Sequence, residues 1–385
     1  MKALFISNDP NLFNPASPVR ARMQMYAASI GTLYVLSRAH SKDVRTYAEG
    51  VQEGGLILIA VGGGKLASLF ALKRKARELI MEAGIEIVSS QDPFEYGWVA
   101  SEAVKGTAAK LHLQVHTDFC SPWFTRSGVM RSPKVPVPFL NRVRLHLANK
   151  VLPKANGIRV VSKRIEASLI ARYGNRIAPV TVIPIATSVE LPEPVALPPH
   201  PFSFALVTVG RLEPEKRIED ILAALARVTT LYPSAGLFII GDGRSRHSLE
   251  KRAHALGLED KVIFLGWRPD ALALMRSAQA YIQASAYEGY GLTLIEAALA
   301  RVPIITTDVG IVGEVFTGYE DVLVAPPGDP AALAVHIVGL IEDVQSRKIL
   351  TMNAERKALA HLAGATDQPA RVAQDLARTI AGTTA

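Results

Sequence analysis

The sequence predicts an α/β protein of two doubly wound domains, each a mainly parallel sheet covered by helices, facing a central cleft. Three observations carry this. Short apolar runs alternate with helical patterns along almost the whole chain, the mark of βα units. At 385 residues the chain is long for one core and suits two. Between two such series stands Pro192-Glu-Pro-Val-Ala-Leu-Pro-Pro-His-Pro201, five prolines in ten residues and the clearest linker in the chain. The expected domains are 1–190 and 200–366, with a terminal helix in 367–385 packing back on the first.

In the first series, residues 3–7 read as a strand, followed by a polar, proline-marked loop and a helical pattern from about Val19 to Ile30. Leu33 to Leu36 and Leu56 to Val61 are strands. The second enters Gly62-Gly-Gly-Lys65, which lacks the glycine spacing and the Ser/Thr of a P-loop. A charged helix over Lys73 to Ala83 leads to a strand at Ile85 to Ser89. Ser90-Gln-Asp-Pro-Phe-Glu-Tyr-Gly97 has turn chemistry and opens a helix. Lys110 to His116 is a strand ending in His116-Thr-Asp118. A basic helix over Arg142 to Leu152, a strand at Gly157 to Ser162, a helix to Tyr173 and a strand at Val180 to Pro184 complete the series.

After the linker the alternation restarts. Strands are expected at Phe204 to Val209, Gly236 to Ile240, Val262 to Phe264, from Ala280, and at Ile304 to Thr306, Gly313 to Phe316 and Val322 to Val324. Helices are expected at Ile218 to Leu231, His247 to Leu256, Asp270 to Ser277 and after Gly291. Asp329 caps a helix to about Val344. Two more helices follow, the last from about Pro369 to Ala381.

Charge and composition bound the function. Net charge is +8, but residues 1–200 carry 25 Lys/Arg against 14 Asp/Glu while 201–385 carry 18 against 21. The densest stretch, 119–165, holds ten Lys/Arg (among them Arg142, Arg144, Lys150, Lys154 and Arg159) and no acid. Such a run suits an anionic partner: a membrane surface, a phosphorylated lipid or nucleic acid. Aromatics are few there and no nucleic-acid motif accompanies the charge, so a membrane or acidic acceptor ranks first and nucleic acid is not expected. The N-terminus reads as a strand, not a signal peptide, and no apolar run is long enough to span a bilayer. The single Cys120 excludes an internal disulfide, fits a cytoplasmic setting and reads as a small buried thiol.

One stretch concentrates chemistry. Glu288 and Glu296 bracket Gly289-Tyr290-Gly291-Leu292-Thr293, a glycine turn between an apolar run and a helical pattern. Such a turn lies at the carboxyl edge of a parallel sheet, where ligands bind. Its glycines let backbone approach a ligand, and the amides of Leu292 and Thr293 open a helix that can receive an anion. Glu296 can accept hydrogen bonds from a diol. Another strand ends in Gly210-Arg-Leu-Glu-Pro-Glu-Lys216, whose Arg211 and Lys216 can clamp a diphosphate and neutralise it as it leaves. Gly241-Asp-Gly243 lacks the third glycine of a dinucleotide fingerprint and reads mainly as structure, with backbone room for a nucleotide.

Taken together, Gly210-Arg211-Leu212 with Lys216, Gly241-Asp-Gly243, Phe264-Leu-Gly266 and Glu288-x7-Glu296 around Gly289-Tyr-Gly291 resemble the GT-B retaining glycosyltransferases. Within these the chain is similar to glycosyltransferase family 4 (glycosyl transferases group 1). The resemblance implies two Rossmann-like domains, an acceptor-side first and a donor-binding second. It implies a nucleotide-diphosphate sugar donor, UDP or GDP foremost, with Arg211 and Lys216 on the diphosphate, Glu296 on the ribose, and Glu288 with the following amides on the sugar and distal phosphate. His116 beside Asp118 is similar to a histidine near the donor sugar in such enzymes. The family's first glycine loop is replaced here by Asn14-Pro-Ala-Ser-Pro-Val-Arg20, so phosphate contacts would come from Ser17 or Arg20. Where the family has Gly-Gly before a Glu, Gly310 is followed by Ile311.

The expected activity is transfer of a sugar, with retention, to a lipid-linked or cell-envelope glycan acceptor, in the cytoplasm or on the cytoplasmic membrane face. The carboxylate pair does not read as the two acids of a glycosidase, because one is needed for ribose. No Asp-x-Asp is present, so no metal and no cofactor are expected. An epimerase of the same fold, or a binding protein that kept the pocket, are the alternatives.

Overall fold

The computed structural model describes residues 1–125, 139–185 and 191–383, which form two compact units. One comprises 1–120, 139–185 and 367–383; the other comprises 121–125 and 191–366.

The first unit opens with β1 (Lys2–Ser7), α1 (Pro18–Ile30), β2 (Thr32–Arg38), α2 (Ser41–Tyr47), β3 (Val51–Glu53), β4 (Leu56–Val61) and α3 (Lys65–Ala83). It continues with β5 (Ile87–Ser90), α4 (Glu95–Val104) and β6 (Lys110–Val115). The chain then passes through the short α5 (Pro122–Thr125), which belongs to the second unit, and the first unit resumes with α6 (Phe139–Val151), β7 (Gly157–Val160), α7 (Lys163–Tyr173) and β8 (Val180–Val182). The sheet order is β3-β4-β2-β1-β5-β6-β7-β8. Only β3 runs antiparallel, pairing with β4 at the edge. From β1 the chain winds outward to β2 on one side and to β5 on the other, which makes a topological switch point between β1 and β5.

The second unit repeats the plan. It contains β9 (Phe204–Val209), α8 (Ile218–Leu231), β10 (Ala235–Ile240), α9 (Arg246–Ala255), β11 (Val262–Gly266) and α10 (Ala271–Met275). Then come β12 (Ala280–Ile282), α11 (Leu292–Leu299), β13 (Ile304–Thr307), β14 (Leu323–Ala325), α12 (Pro330–Glu342) and α13 (Val344–Ala363). Its sheet is parallel throughout, in the order β11-β10-β9-β12-β13-β14, with the switch point between β9 and β12. Both sheets are buried on both faces, which is why their strands read as near-continuous apolar runs. Leu206, Leu237, Ile239, Ile282 and Ile305 join α8 and α12 in one core.

The last helix, α14 (Gln368–Ala381), belongs to the first unit. Val372 and Leu376 are fully buried in that unit's core, and Tyr26 Oη donates to Gln368 Oε1 at 3.0 Å. Burial of two such side chains stabilises this docking by roughly 3–6 kcal/mol. Gly157 of β7 is what lets the helix lie so close, because a Cβ there would overlap Thr379 Oγ1.

Four differences from the sequence reading have local causes. α3 begins at Lys65, two turns before the expected start; its early turns put Leu66 and Phe70 in water, so the expected polar face is missing from the pattern. Gly313 to Phe316 is not a strand but a turn closed by one isolated bridge, Val312 to Phe316. β3 and α2 were too short to show periodicity. The basic residues of 119–165 do not make one face: those at 126–138 lie outside the described residues, Arg159 is buried, and Arg144 pairs with Glu95 at 3.2 Å.

Gly157→Ala should lower the free energy of unfolding by about 1–3 kcal/mol, read as a lower urea midpoint. Adding Thr379→Ala should restore part of it. An unchanged midpoint in the single variant would refute the close seating of α14.

Candidate functional site

In the second unit the polar residues gather at the carboxyl ends of β9 and β12. A small cavity there is lined by Gly210, Arg211, Lys216, Gln283, Ala284 and Ser285, among others. Two backbone approaches build it. Gly241 (φ 140°) lies where a Cβ would overlap Gly210 O, and its amide donates to Gly266 O at 2.7 Å. Gly310 (φ 57°) lies where a Cβ would overlap Tyr290 O, and the Ile311 amide donates to that carbonyl at 3.0 Å. Gly241 therefore has a packing role, and the Gly310-Ile311 pair pins the glutamate turn.

Gly291 (φ 97°) is the N-cap of α11, so the amides of Leu292 and Thr293 open that helix. Tyr290 is buried, with its hydroxyl hydrogen-bonded to His361 and its pKa raised by desolvation. Lys216 forms an ion pair with Glu288, and Ser285 Oγ donates to the same Glu288 Oε1 at 2.8 Å. The sequence assigned this lysine and this glutamate to different parts of a ligand; the structure pairs them with each other. Arg211 projects outward, its side chain 77% exposed and 3.7 Å from Glu215.

The carboxylate of Glu296, half-buried on α11, receives no hydrogen bond and no ion pair among the described residues, and desolvation alone raises its pKa. An unpaired, partly desolvated carboxylate is poised for hydroxyl donors. Gln283 was missed by the sequence reading. Tyr281 and Thr293 hydroxyls both donate to its Oε1, at 3.1 and 3.0 Å, and its buried Nε2 has no partner in the structure. Its place at the end of β12, one turn of chain before Glu288, was the available signal.

His116, Asp118, Ser17 and Arg20 belong to the first unit. Ser17 caps α1, accepting from the Arg20 amide at 3.1 Å and donating to Asn11 O at 2.6 Å. Arg20 is buried in an ion pair with Glu53 and donates to Tyr47 Oη at 3.0 Å. Both side chains thus serve the fold, against their expected place on a phosphate. Two residues on, Arg22 is half-buried, makes no ion pair among the described residues, and its charge is felt at His116. Asp118 is buried and accepts from Ser168 Oγ at 3.1 Å. Desolvation pushes the Cys120 thiol up to about 12, which fits an inert thiol.

The setting of His116 fixes its proton. Arg159 can only donate, and its Nη1 reaches Gln114 Oε1 at 2.9 Å. That orients the amide: the same oxygen faces His116 Nε2 at 3.2 Å, while Gln114 Nε2 donates to Ser89 Oγ at 3.0 Å. His116 Nε2 therefore carries hydrogen, and its Nδ1 is the acceptor of the neutral ring. Behind Gln114 the bonds continue from Ser89 to His112 at 2.8 Å and on to Asp375 of α14 at 3.0 Å. Desolvation, then the charges of Arg159 and Arg22, push the His116 pKa down to about 3.

The first unit holds its own cavity, of about 880 Å³, at the carboxyl ends of β1, β2, β4 and β5. Asn8, Arg38, Asp92, Tyr96, Leu140 and Arg144 are among its walls. Desolvation, then the nearby Glu95 charge, raise the Asp92 carboxyl to about 6 despite the Phe94 amide it accepts. The sequence read Asp92 only as turn chemistry.

Residues 201–357 match the family model of glycosyl transferases group 1. The second unit is a group 1 glycosyl transferase domain. Over 140 residues the chain is 34% identical to glycogen synthase of Mycobacterium tuberculosis, covering 36% of this chain. The match spans 34%, about a third, of that relative's length. Sucrose-phosphate synthase of Thermosynechococcus elongatus matches over the whole of both chains with a TM-score of 0.78 at 20% identity. HepE of Anabaena, solved in complex with UDP, does so with a TM-score of 0.69 at 21% identity. The fold is that of the GT-B glycosyltransferases, and the group 1 domain carries the Arg211, Lys216, Glu288 and Glu296 constellation.

Nitrogen-15 NMR should find His116 neutral and Nε2-protonated across about pH 5–8. Because an unfolded histidine takes its proton near pH 6.5 and the folded one only near 3, this group should erode stability as pH falls through that window. A Gln114→Leu chain should lose the single-tautomer signature. A wild-type ring protonated on Nδ1 alone would overturn the assignment.

Proposed function

We propose that the chain is a retaining glycosyltransferase. It moves a sugar from a nucleotide-diphosphate sugar, UDP- or GDP-linked, to a lipid-linked or cell-envelope glycan acceptor. The observation that carries this reading is the switch-point constellation in the group 1 domain: exposed Arg211, the Lys216–Glu288 pair and unpaired Glu296 around one glycine turn. UDP bound to HepE, a protein of the same fold, supports the donor class.

The roles follow from chemistry. Arg211 and Lys216 hold the diphosphate, with Gly210 and Gly241 keeping the backbone low beside it. A diphosphate competes with Glu288 for the Lys216 ammonium, so donor binding frees that carboxylate for the sugar hydroxyls. The amides after Gly289 face the distal phosphate, helped by the positive end of α11. Glu296 accepts from the ribose hydroxyls, and Gln283 Nε2 supplies a further donor. In the reaction the bond from the anomeric carbon to the diphosphate oxygen breaks, a bond to the acceptor oxygen forms, and the acceptor hydroxyl's proton passes to the departing diphosphate. The two cations stabilise the charge that grows on the leaving group. In the first unit, His116 offers Nδ1 as a hydrogen-bond acceptor to a sugar hydroxyl. Asp92 can hold an acceptor hydroxyl. The basic residues Arg142 and Lys150 favour an anionic membrane surface. No metal or cofactor enters this scheme.

Titration calorimetry with UDP, GDP and their sugars should find one base preferred. Arg211→Ala and Glu296→Ala should each weaken that binding about 10- to 100-fold, the worth of a charged hydrogen bond. Lys216→Ala should lower turnover more than affinity, since it also releases Glu288. No binding by any member of the panel would sink the reading. Epimer release without acceptor would replace transfer by epimerisation, and tight binding with neither transfer nor hydrolysis would leave a binding protein.

A further inference from the structure

The helix α3 turns an unusual face to water. At about 100° per residue, Lys73, Leu66, Arg77, Phe70, Met81 and Arg74 fall within one arc of about 100°. Leu66 is 76% exposed, Phe70 59% and Met81 69%. The helix's acids, Glu78 and Glu82, lie outside that arc, and Glu78 is held by Lys75. A surface helix normally puts polar residues of both signs there. Here the water-facing stripe is large apolar side chains interleaved with cations only. The Lys73 ammonium sits 5.8 Å from the Phe70 ring and 5.9 Å from that of Trp98, and the two rings meet edge to face at 5.9 Å. The Arg77 guanidinium is tied to the Ala103 and Lys105 carbonyls at the end of α4, which keeps its charge at the rim.

We propose that this face of α3 is a docking surface for an anionic lipid bilayer. Leu66, Phe70 and Met81 would enter the boundary between headgroups and acyl chains. Lys73 and Arg74 would lay their stems along it and reach lipid phosphates. Trp98 has the amphipathic ring that favours that depth. A second copy of the chain fits worse, because a two-fold contact through this stripe would set its cations against one another.

The surface also touches the first unit's cavity. Lys65, Leu66 and Leu69 of α3 line it, together with Leu140, 51% exposed, and Arg144 of α6. A helix lying on lipid would therefore place the mouth of that cavity at the headgroup layer. This deepens the proposed function, on which it rests for the word acceptor: the acceptor is one presented from a bilayer.

Flotation of the full chain with vesicles of phosphatidylglycerol and phosphatidylcholine, against phosphatidylcholine alone, tests this. The chain should float with the anionic vesicles and partition at least tenfold less with the neutral ones. Leu66→Ser/Phe70→Ser/Met81→Ser should reduce anionic partition at least tenfold with an unchanged circular dichroism spectrum. Lys73→Glu/Arg74→Glu should do the same, whereas Leu231→Ser/Val335→Ser on the second unit should leave it unchanged. Nucleotide affinity, measured on the same samples, reports the donor site separately and should not move. Undiminished flotation of the α3 variants overturns the proposal, as does absence of wild-type flotation. A dimer that light scattering shows to be dispersed by the same substitutions, with no vesicle binding, also overturns it, in favour of a second copy.

Discussion

A parallel sheet cannot close its own carboxyl edge where two adjacent strands send their connections in opposite directions. That notch occurs once in each unit, between β1 and β5 and between β9 and β12, and the chemistry of both units depends on it. In the second unit the notch is narrowed by backbone running against backbone, Gly241 beside Gly210 and Gly310 beside Tyr290. Side chains larger than hydrogen at those positions would push the walls apart. In the first unit the notch stays wide, and Asp92 loses enough water there for its carboxyl to rise to about 6.

The charges in the second notch are arranged for exchange. Lys216 and Glu288 satisfy one another without a ligand, so neither pays the full desolvation penalty of a buried ion. Arg211 remains in water and Glu296 remains unpaired. The proposed donor, a diphosphate ester with a ribose, would bring the complement of each. The site is therefore stable before it is filled, yet its polar groups do not all find their best partners until it is.

In the first unit a line of buried polar groups joins α14 to His116. It runs from Asp375 through His112, Ser89 and Gln114, and Arg159 fixes its sense because a guanidinium only donates. The terminal helix thus does more than cover apolar surface: it supplies the acid at the end of the line. Asp375 stays below the ordinary carboxylate range because the bonds from His112 and Thr181 outweigh its desolvation.

Local pattern in the sequence determined the alternation of strands and helices, the linker, and the glycine turns at strand ends. Each is set by neighbours in the chain: apolar periodicity, proline's fixed torsion, glycine's access to positive φ. The same logic placed Arg211, Lys216 and Glu288 just past strand ends and Glu296 in the helix that follows, since each lies within one strand–turn–helix unit of local chain. What tertiary structure decided were the partners of residues far apart in the chain. Arg20 and Arg159 read as cations for an anionic partner, but Glu53 and the Gln114 and Ile183 oxygens take them into the core. Gln283 and Asp92 read as ordinary polar residues, and only desolvation gave them their chemistry. α3 defeated its own pattern: its outward face carries Leu66, Phe70 and Met81, and periodicity reports only which residues differ from their neighbours, not which side faces water.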